Sequence, residues 1–207
     1  MKKSALFLLV VSALGMCCAS NQRHFPARTI VDQDYYLQSA VELKIRKGTD
    51  EYGCTGVIVD STGLVATARH CVENADKVLV INKNMARPAT VMGMDKTAEL
   101  AVLSVRGWDF VPLPFCDEVV IDSGVCAIGR THASDLFEFE CGDVTAGNRE
   151  LIITTTKIRP GFSGGPLISI DGECVVGISY AFYPFRAEQR SLHVGYGALK
   201  ELVNKFR

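Results

Sequence analysis

The chain lacks an excess of charge of either sign: its 22 basic and 23 acidic residues almost cancel over 207 positions. That removes the basic footprint on which nonspecific nucleic-acid binding depends, and no nucleic-acid partner is expected. No apolar run reaches the ~20 residues a helix needs to span a bilayer, so no transmembrane span is expected. Beyond residue 20 there is neither a C-x-x-C pair nor an H-x-x-x-H pair, which disfavours zinc. No long stretch of helical period alternates with the strand-like segments, which disfavours helix bundles and parallel α/β folds. With 48% hydrophobic residues the chain can still bury a core, as one unit or as two small subdomains sharing it.

Cysteine, by contrast, is plentiful. Eight cysteines need an oxidising compartment or a special chemistry, and the first twenty residues point to the former. Lys2 and Lys3 form a positive end, residues 5–16 a mostly apolar run, and Cys17, Cys18, Ala19 and Ser20 a small-residue tail. This is the pattern of a secretory signal over residues 1–20. Cleavage after Ala19 or Ser20 would leave six cysteines in an exported, periplasmic or secreted protein. A rival reading is a bacterial lipoprotein signal with a lipid anchor at Cys17, against which Met16 stands, because the preceding residue is usually small.

Past Tyr35 the dominant period is two: Val41, Leu43 and Ile45 alternate with Glu42, Lys44 and Arg46, which is strand patterning. Short apolar segments follow at 57–59, 64–68, 78–81, 90–94 and 100–105. Val111, Pro112, Leu113 and Pro114 break the pattern as a linker between halves. The second half repeats the style at 119–121, 125–128, 136–139, 151–155, 167–170, 174–180 and 192–196. Asp171-Gly172 signals a tight hairpin turn with positive φ. Leu199, Leu202, Val203 and Phe206 take the spacing of one helix face.

Two motifs stand above this background: Thr67-Ala68-Arg69-His70-Cys71, a histidine directly after a strand, and Gly161-Phe162-Ser163-Gly164-Gly165-Pro166, a serine in a glycine-rich turn. On these residues, together with 53–59, 99–103 and 171–178, the chain resembles the trypsin-like (chymotrypsin-fold) serine proteases, closest to the bacterial high-temperature-requirement branch. The resemblance implies an all-β fold of two six-stranded antiparallel β-barrels, one over about 36–112 and one over about 116–198, with a short C-terminal helix at 199–206. It implies a serine-type endopeptidase acting on protein or peptide substrates, with no cofactor and no metal. Ser163 would be the nucleophile and His70 its general base, since a serine hydroxyl is a weak nucleophile near neutral pH until an imidazole takes its proton. Backbone N–H groups of Gly161 and Ser163 would form the oxyanion hole.

The acid departs from the resembled pattern, which has aspartate where this chain has Glu99. Glu99 fits the family register; Asp95, of the same strand parity if the strand is regular, is the alternative. Phe162 replaces the aspartate of the pancreatic enzymes, so a zymogen switch built on that ion pair is not expected. By the same resemblance the specificity pocket is lined by Lys157, Ile158, Tyr180, Ala181 and Phe182. Lys157 at its base would suggest acidic substrates; a lysine turned to solvent is the alternative. The resemblance further implies a Cys54–Cys71 disulfide, while Cys116, Cys126, Cys141 and Cys174 allow three pairings. After Phe206 it leaves no room for the peptide-binding extension that many of that branch carry.

His24, His132 and His193 are expected on the surface or in loops. Trp108 and the aromatics Phe182, Tyr183 and Phe185 are expected in packing, and Arg186, Glu188 and Arg190 at a solvated hairpin tip. A non-catalytic protease-fold module binding a partner protein is the competing reading, motivated by Glu99 and Phe162. For the export signal the expected outcome is a mature N-terminus at Ser20 or Asn21 on N-terminal sequencing; a blocked, acyl-labelled Cys17 would assign the lipid anchor instead.

Overall fold

The computed structural model describes residues 33–207 apart from 84, 108, 132, 133, 135, 186 and 187. The expected export signal, Cys17, Cys18, His24, Trp108, His132 and Arg186 therefore lie outside the described residues.

Six strands build a first closed antiparallel barrel: β1 (Ala40–Lys47), β2 (Asp50–Ile58), β3 (Leu64–Ala68), β4 (Lys77–Asn82), β5 (Met85–Asp95) and β6 (Leu100–Val105), in the order β1-β2-β3-β6-β5-β4. Six more build a second: β7 (Gly124–Gly129), β8 (Glu138–Gly147), β9 (Leu151–Thr154), β10 (Pro166–Ser169), β11 (Val175–Phe185) and β12 (Glu188–Gly195), ordered β10-β11-β12-β9-β8-β7. Two short helices, α1 (Gln33–Leu37) and α2 (Arg69–Val72), and the C-terminal α3 (Tyr196–Asn204) complete the described chain.

Burial explains where strand alternation holds and where it fails. On β1, Val41, Leu43 and Ile45 point into the first barrel while Lys44 and Arg46 face water. Every residue of β3 is buried, because its two faces serve two cores. Val65 faces the barrel interior, whereas Leu64 and Ala66 join a second cluster lying between the barrels. That shared cluster takes Val57, Leu100 and Val102 from one barrel, Ile128, Ile168 and Ile178 from the other, and Leu199 and Val203 from α3. Phe162, Ile152, Ile158 and Leu167 fill the second barrel.

The connector between barrels is docked. Leu113 is buried in the shared core, its neighbour Pro114 accepts a hydrogen bond from Val175 N–H at 2.8 Å, and the Cys116–Cys174 disulfide holds the same stretch to β11. Cys126 and Cys141 face each other across β7 and β8 and are bonded, as are Cys54 and Cys71. At the far end, Arg207 donates to Val59 O at 2.7 Å and pairs with Asp60 at 3.1 Å, so the C-terminal helix is tied back to the first barrel.

Several local expectations are corrected. Tyr35 and Tyr36 lie in α1, not in a strand. Residues 119–121 form no strand: Val120 and Ile121 are about half exposed, and the segment ends in a turn whose Asp122 has φ +63°. Asp171-Gly172 is part of a longer loop in which Glu173, not Gly172, takes the positive φ, closed by Ser169 N–H on Cys174 O at 2.9 Å. The C-terminal helix begins at Tyr196, three residues early.

Because Leu199 is fully buried in the cluster that both barrels share, Leu199→Ala is expected to cost about 2–5 kcal/mol of unfolding free energy. In urea denaturation the loss should appear as one transition shifted for both barrels; a shift below about 1 kcal/mol would contradict that placement.

Candidate active site

Strand register brings the first two groups together. β3 and β6 pair with Thr67 opposite Ala101 and Ala68 opposite Leu100. One step further along the same register, Arg69 meets Glu99, and Arg69 N–H donates to Glu99 O at 3.0 Å. Here the chain leaves the sheet for the single turn of α2, which sets the next residue, His70, over the Glu99 side chain. His70 Nδ1 lies 3.0 Å from Glu99 Oε1, and the backbone N–H of His70 donates to the same oxygen at 2.9 Å. The carboxylate sits beneath at 19% side-chain exposure and the imidazole above it at 43%.

Glu99 holds a backbone conformation unusual for a side-chain-bearing residue, φ +58°, which costs about 1–2 kcal/mol. The hydrogen bonds of Arg69 and His70 to its backbone and side chain offset that cost. Burial alone would push the Glu99 carboxyl up; the hydrogen bonds from His70 and Arg69 and the Arg69 charge outweigh it and hold its pKa below the ordinary carboxylate range. It is therefore an anion near neutral pH. Asp95 is placed differently. Residues 95–99 are not a regular strand, so strand parity does not apply to them. Asp95 ends β5 and its carboxylate caps the following turn, accepting from Thr97 and Ala98 N–H at 2.9 Å each.

The serine loop comes from the other barrel. It turns sharply at Gly161 (φ +102°) and Gly164 (φ +82°). A Cβ at Gly161 would meet Arg130 O at 2.3 Å, and one at Gly164 would meet Thr67 Oγ1 at 2.0 Å and Thr55 O at 2.2 Å. Only glycine permits this approach to the first barrel. Within the loop Phe162 N–H donates to Arg159 O, Gly164 N–H to Ser179 O and Gly165 N–H to Phe162 O. Among the described residues, the N–H groups of Gly161 and Ser163 meet no protein acceptor, and both belong to a turn whose other donors are satisfied.

The imidazole and the serine loop meet at the Cys54–Cys71 disulfide. A ring nitrogen of His70 lies within 4.8 Å of both sulfurs, and Cys71 Sγ lies 3.7 Å from Ser163 O. The two sulfurs are bonded to each other and offer no thiolate pair to a metal. Thr55 joins the same region: its N–H donates to Ser163 O at 2.9 Å, its hydroxyl to Gly161 O at 2.7 Å, and it accepts from Arg130 N–H at 3.1 Å.

Beside His70 opens a groove of about 770 Å³, lined by His70, Glu99, Asp95, Tyr180, Ala181 and Leu202 among others. Tyr180 is the extra residue of a bulge in the β11–β12 pairing, a device that redirects a side chain. Its hydroxyl pKa is raised, first by burial and then by the Glu99 charge. The other anticipated pocket residues do not line this groove. Lys157 is exposed and its charge acts on Glu140. Ile158 is buried in the second barrel, its carbonyl accepting from Gln189 Nε2 at 2.7 Å. Phe182 and Phe185 are exposed at 48% and 43%, and Phe185 packs edge-on to Tyr183. Arg190, expected at a solvated tip, has a side chain only 17% exposed and lies against the Phe185 ring.

His193 is a correction: it is neither a surface nor a loop histidine but a fully buried residue of β12. Its Nε2 lies 3.0 Å from Thr154 Oγ1 and its Nδ1 3.1 Å from Ser179 Oγ. Ser179 in turn donates its N–H to Gly165 O and accepts from Gly164 N–H, so this polar cluster backs the serine loop. On 191–195 the polar residues Ser191 and His193 share one strand face and are buried, as is Val194 on the other face, so alternation gave no sign of the enclosed histidine. Arg69 was likewise passed over, although a charge next to the motif histidine is conspicuous.

Residues 54–178 match the family model described as the trypsin-like peptidase domain. One curated relative, the "Probable periplasmic serine endoprotease DegP-like" of Chlamydia pneumoniae, is 32% identical over 139 residues, 61% of this chain and 28% of that protein. A protein of the same description from Halomonas elongata is 35% identical over 136 residues, 60% of this chain and 28% of its own length. The chain thus spans less than a third of the length of these relatives. Among solved structures, the serine endoprotease from Yersinia pestis superposes with a TM-score of 0.76 at 22% identity, over 86% of this chain and 65% of that one, a likeness of fold.

The buried histidine sets an acid limit on stability. Burial pushes His193 down to about 3 from an ordinary 6.5, so between those values the unfolded chain binds the extra proton. Stability is complete above the unfolded value and falls as pH drops toward the folded one, by about 1.4 kcal/mol per pH unit from this group. Urea unfolding at pH 7, 5.5 and 4 is expected to show that slope in the native protein and a shallower one in His193→Gln. An equal acid slope in the variant would contradict it.

Proposed function

Because the chain belongs to the trypsin-like peptidase domain family, which covers residues 54–178, we propose that it is an exported serine endopeptidase. Its catalytic triad is Ser163, His70 and Glu99, and its oxyanion hole is the backbone N–H pair of Gly161 and Ser163. The observation that carries the reading is the pairing of His70 Nδ1 with the Glu99 carboxylate at 3.0 Å, beside a glycine-shaped serine turn in which two N–H groups meet no acceptor among the described residues.

In the proposed reaction Ser163 Oγ attacks the carbonyl carbon of a peptide bond as its proton passes to His70 Nε2. Glu99 holds Nδ1–H, which fixes the tautomer and stabilises the imidazolium. The carbonyl π pair moves onto oxygen, and the resulting oxyanion accepts hydrogen bonds from the N–H groups of Gly161 and Ser163, each worth about 2.7–4 kcal/mol in comparable sites. The C–N bond then breaks as His70 gives its proton to the leaving amine, leaving an ester on Ser163. Water, deprotonated by His70, attacks that ester; Ser163 departs with the proton and the acid product is released.

The groove over Tyr180 and Ala181 is assigned to the substrate chain. The sheltered, anionic Glu99 supports the acid role, since a carboxylate that stayed charged would serve His70 across the neutral range. Export accords with the signal pattern of residues 1–20 and with the periplasmic description of the relatives; among the described residues, no helix is long and apolar enough to cross a membrane. No ion pair involving Phe162 is needed, so removal of the signal is expected to suffice for activity.

A fluorophosphonate probe is expected to label the purified protein stoichiometrically at Ser163, to leave Ser163→Ala unlabelled, and to block cleavage of a peptide library. Glu99→Gln should lower kcat about 10⁴-fold by favouring the wrong imidazole tautomer. A folded wild-type protein that neither reacts with the probe nor cleaves any library peptide would overturn the proposal.

A further inference from the structure

We propose that Arg69 is a positioning residue for the site: it anchors the outer oxygen of Glu99 so that the inner oxygen stays on His70. This rests on the reading of Glu99 as the triad acid.

The two carboxylate oxygens have separate partners. Oε1 takes both contacts from His70, the backbone N–H at 2.9 Å and Nδ1 at 3.0 Å. Oε2 takes both contacts from Arg69, with Nε and Nη2 each at 2.9 Å. Among the described residues, no other side chain pairs with Oε2. The remaining guanidinium nitrogen, Nη1, pairs with Glu73, four residues on and just past the end of α2, which keeps the planar fork from rotating away. All three charged side chains are largely sheltered, at 20% exposure for Arg69, 19% for Glu99 and 34% for Glu73, so screening by water is weaker than at an open surface pair.

Glutamate creates the need for such an anchor. It has one more rotatable bond than aspartate, and each further torsion that must be ordered weakens a single-point contact. A glutamate held at Oε1 alone could swing its carboxylate out of the imidazole plane. The guanidinium removes that freedom because it is rigid, always charged and converges on one oxygen with two of its nitrogens. Arg69 adds a backbone restraint through its N–H on Glu99 O, which holds the acid in its left-handed conformation. That restraint does not depend on the side chain at 69, so side-chain variants test the fork alone.

The test is steady-state kinetics with a cleavable peptide on purified full-length variants, after the wild-type protein has been shown to react with the fluorophosphonate probe. Arg69→Met, which keeps length but removes the donors, is expected to lower kcat about 10–100-fold while KM stays within about twofold. Arg69→Lys, which keeps the charge but not the fork, should recover part of the loss. In a Glu99→Asp background, where the shorter side chain cannot reach both partners, Arg69→Met should cost less than about threefold more.

An equal loss in both backgrounds, a loss confined to KM, or no loss overturns the proposal. If Arg69→Met fails to fold by circular dichroism, Arg69→Lys and Arg69→Gln carry the same comparison. A wild-type protein inert to the probe overturns the protease reading and this proposal together; a reactive wild type with kinetically silent Arg69 variants overturns this one alone.

Discussion

The buried junction at Thr55 is the constraint on which the site depends. One threonine within β2 of the first barrel spends its N–H on Ser163 O and its hydroxyl on Gly161 O, and accepts Arg130 N–H in return. Its own carbonyl accepts the Thr67 hydroxyl at 2.8 Å. Thr55, Thr67 and Gly161 are buried, and their polar groups, left unpaired, would cost about 1–3 kcal/mol each. The barrels therefore cannot slide past each other without leaving several buried polar groups unmatched. Apolar packing between the barrels supplies adhesion without direction; this cluster supplies the direction.

The serine loop is held from two sides. The first barrel reaches it through Thr55 and, beside it, the Cys54–Cys71 disulfide. The second reaches it through Ser179, whose backbone brackets Gly164 and Gly165 and whose hydroxyl is tied to the buried His193. Phe162 then fixes the middle of the turn by filling the core beneath it, with no exposure to water. A turn secured this way would hold the proposed oxyanion donors at no cost in reorganisation, the condition under which preorganised donors are most effective. The acid side is built by a different economy of parts: the β3–β6 register places residue 99 against residues 69 and 70, and consecutive residues of α2 then divide the two carboxylate oxygens between them.

The barrels were legible in period-two alternation wherever one face of a strand meets water, as on β1. Legibility fell where both faces are buried, as on β3, and where a segment's apolar residues stayed outside, as at Val120 and Ile121. His70 and Ser163 could be found because their neighbours are unusual for local reasons: glycines that a close approach demands, and a histidine where a strand ends. His193 was misjudged: a titratable residue was assigned to the surface and is enclosed by Thr154, Thr156, Ser179 and Ser191, all wholly buried. At Lys157 both an interior and a solvent-facing place were legible, and the residue is exposed.

By itself the sequence determined the class of fold, the places where chain direction must reverse sharply, and the residue types able to act as base and nucleophile, because these follow from local stereochemistry and from side-chain chemistry. Only the tertiary structure set Glu99 rather than Asp95 against His70, paired the last four cysteines, moved His193 inside and gave Arg69 a partner. Those outcomes depend on strand register and on contacts between residues far apart along the chain. A register step of one residue reverses which side a side chain faces, and nothing in the local sequence records which step the closed barrels take.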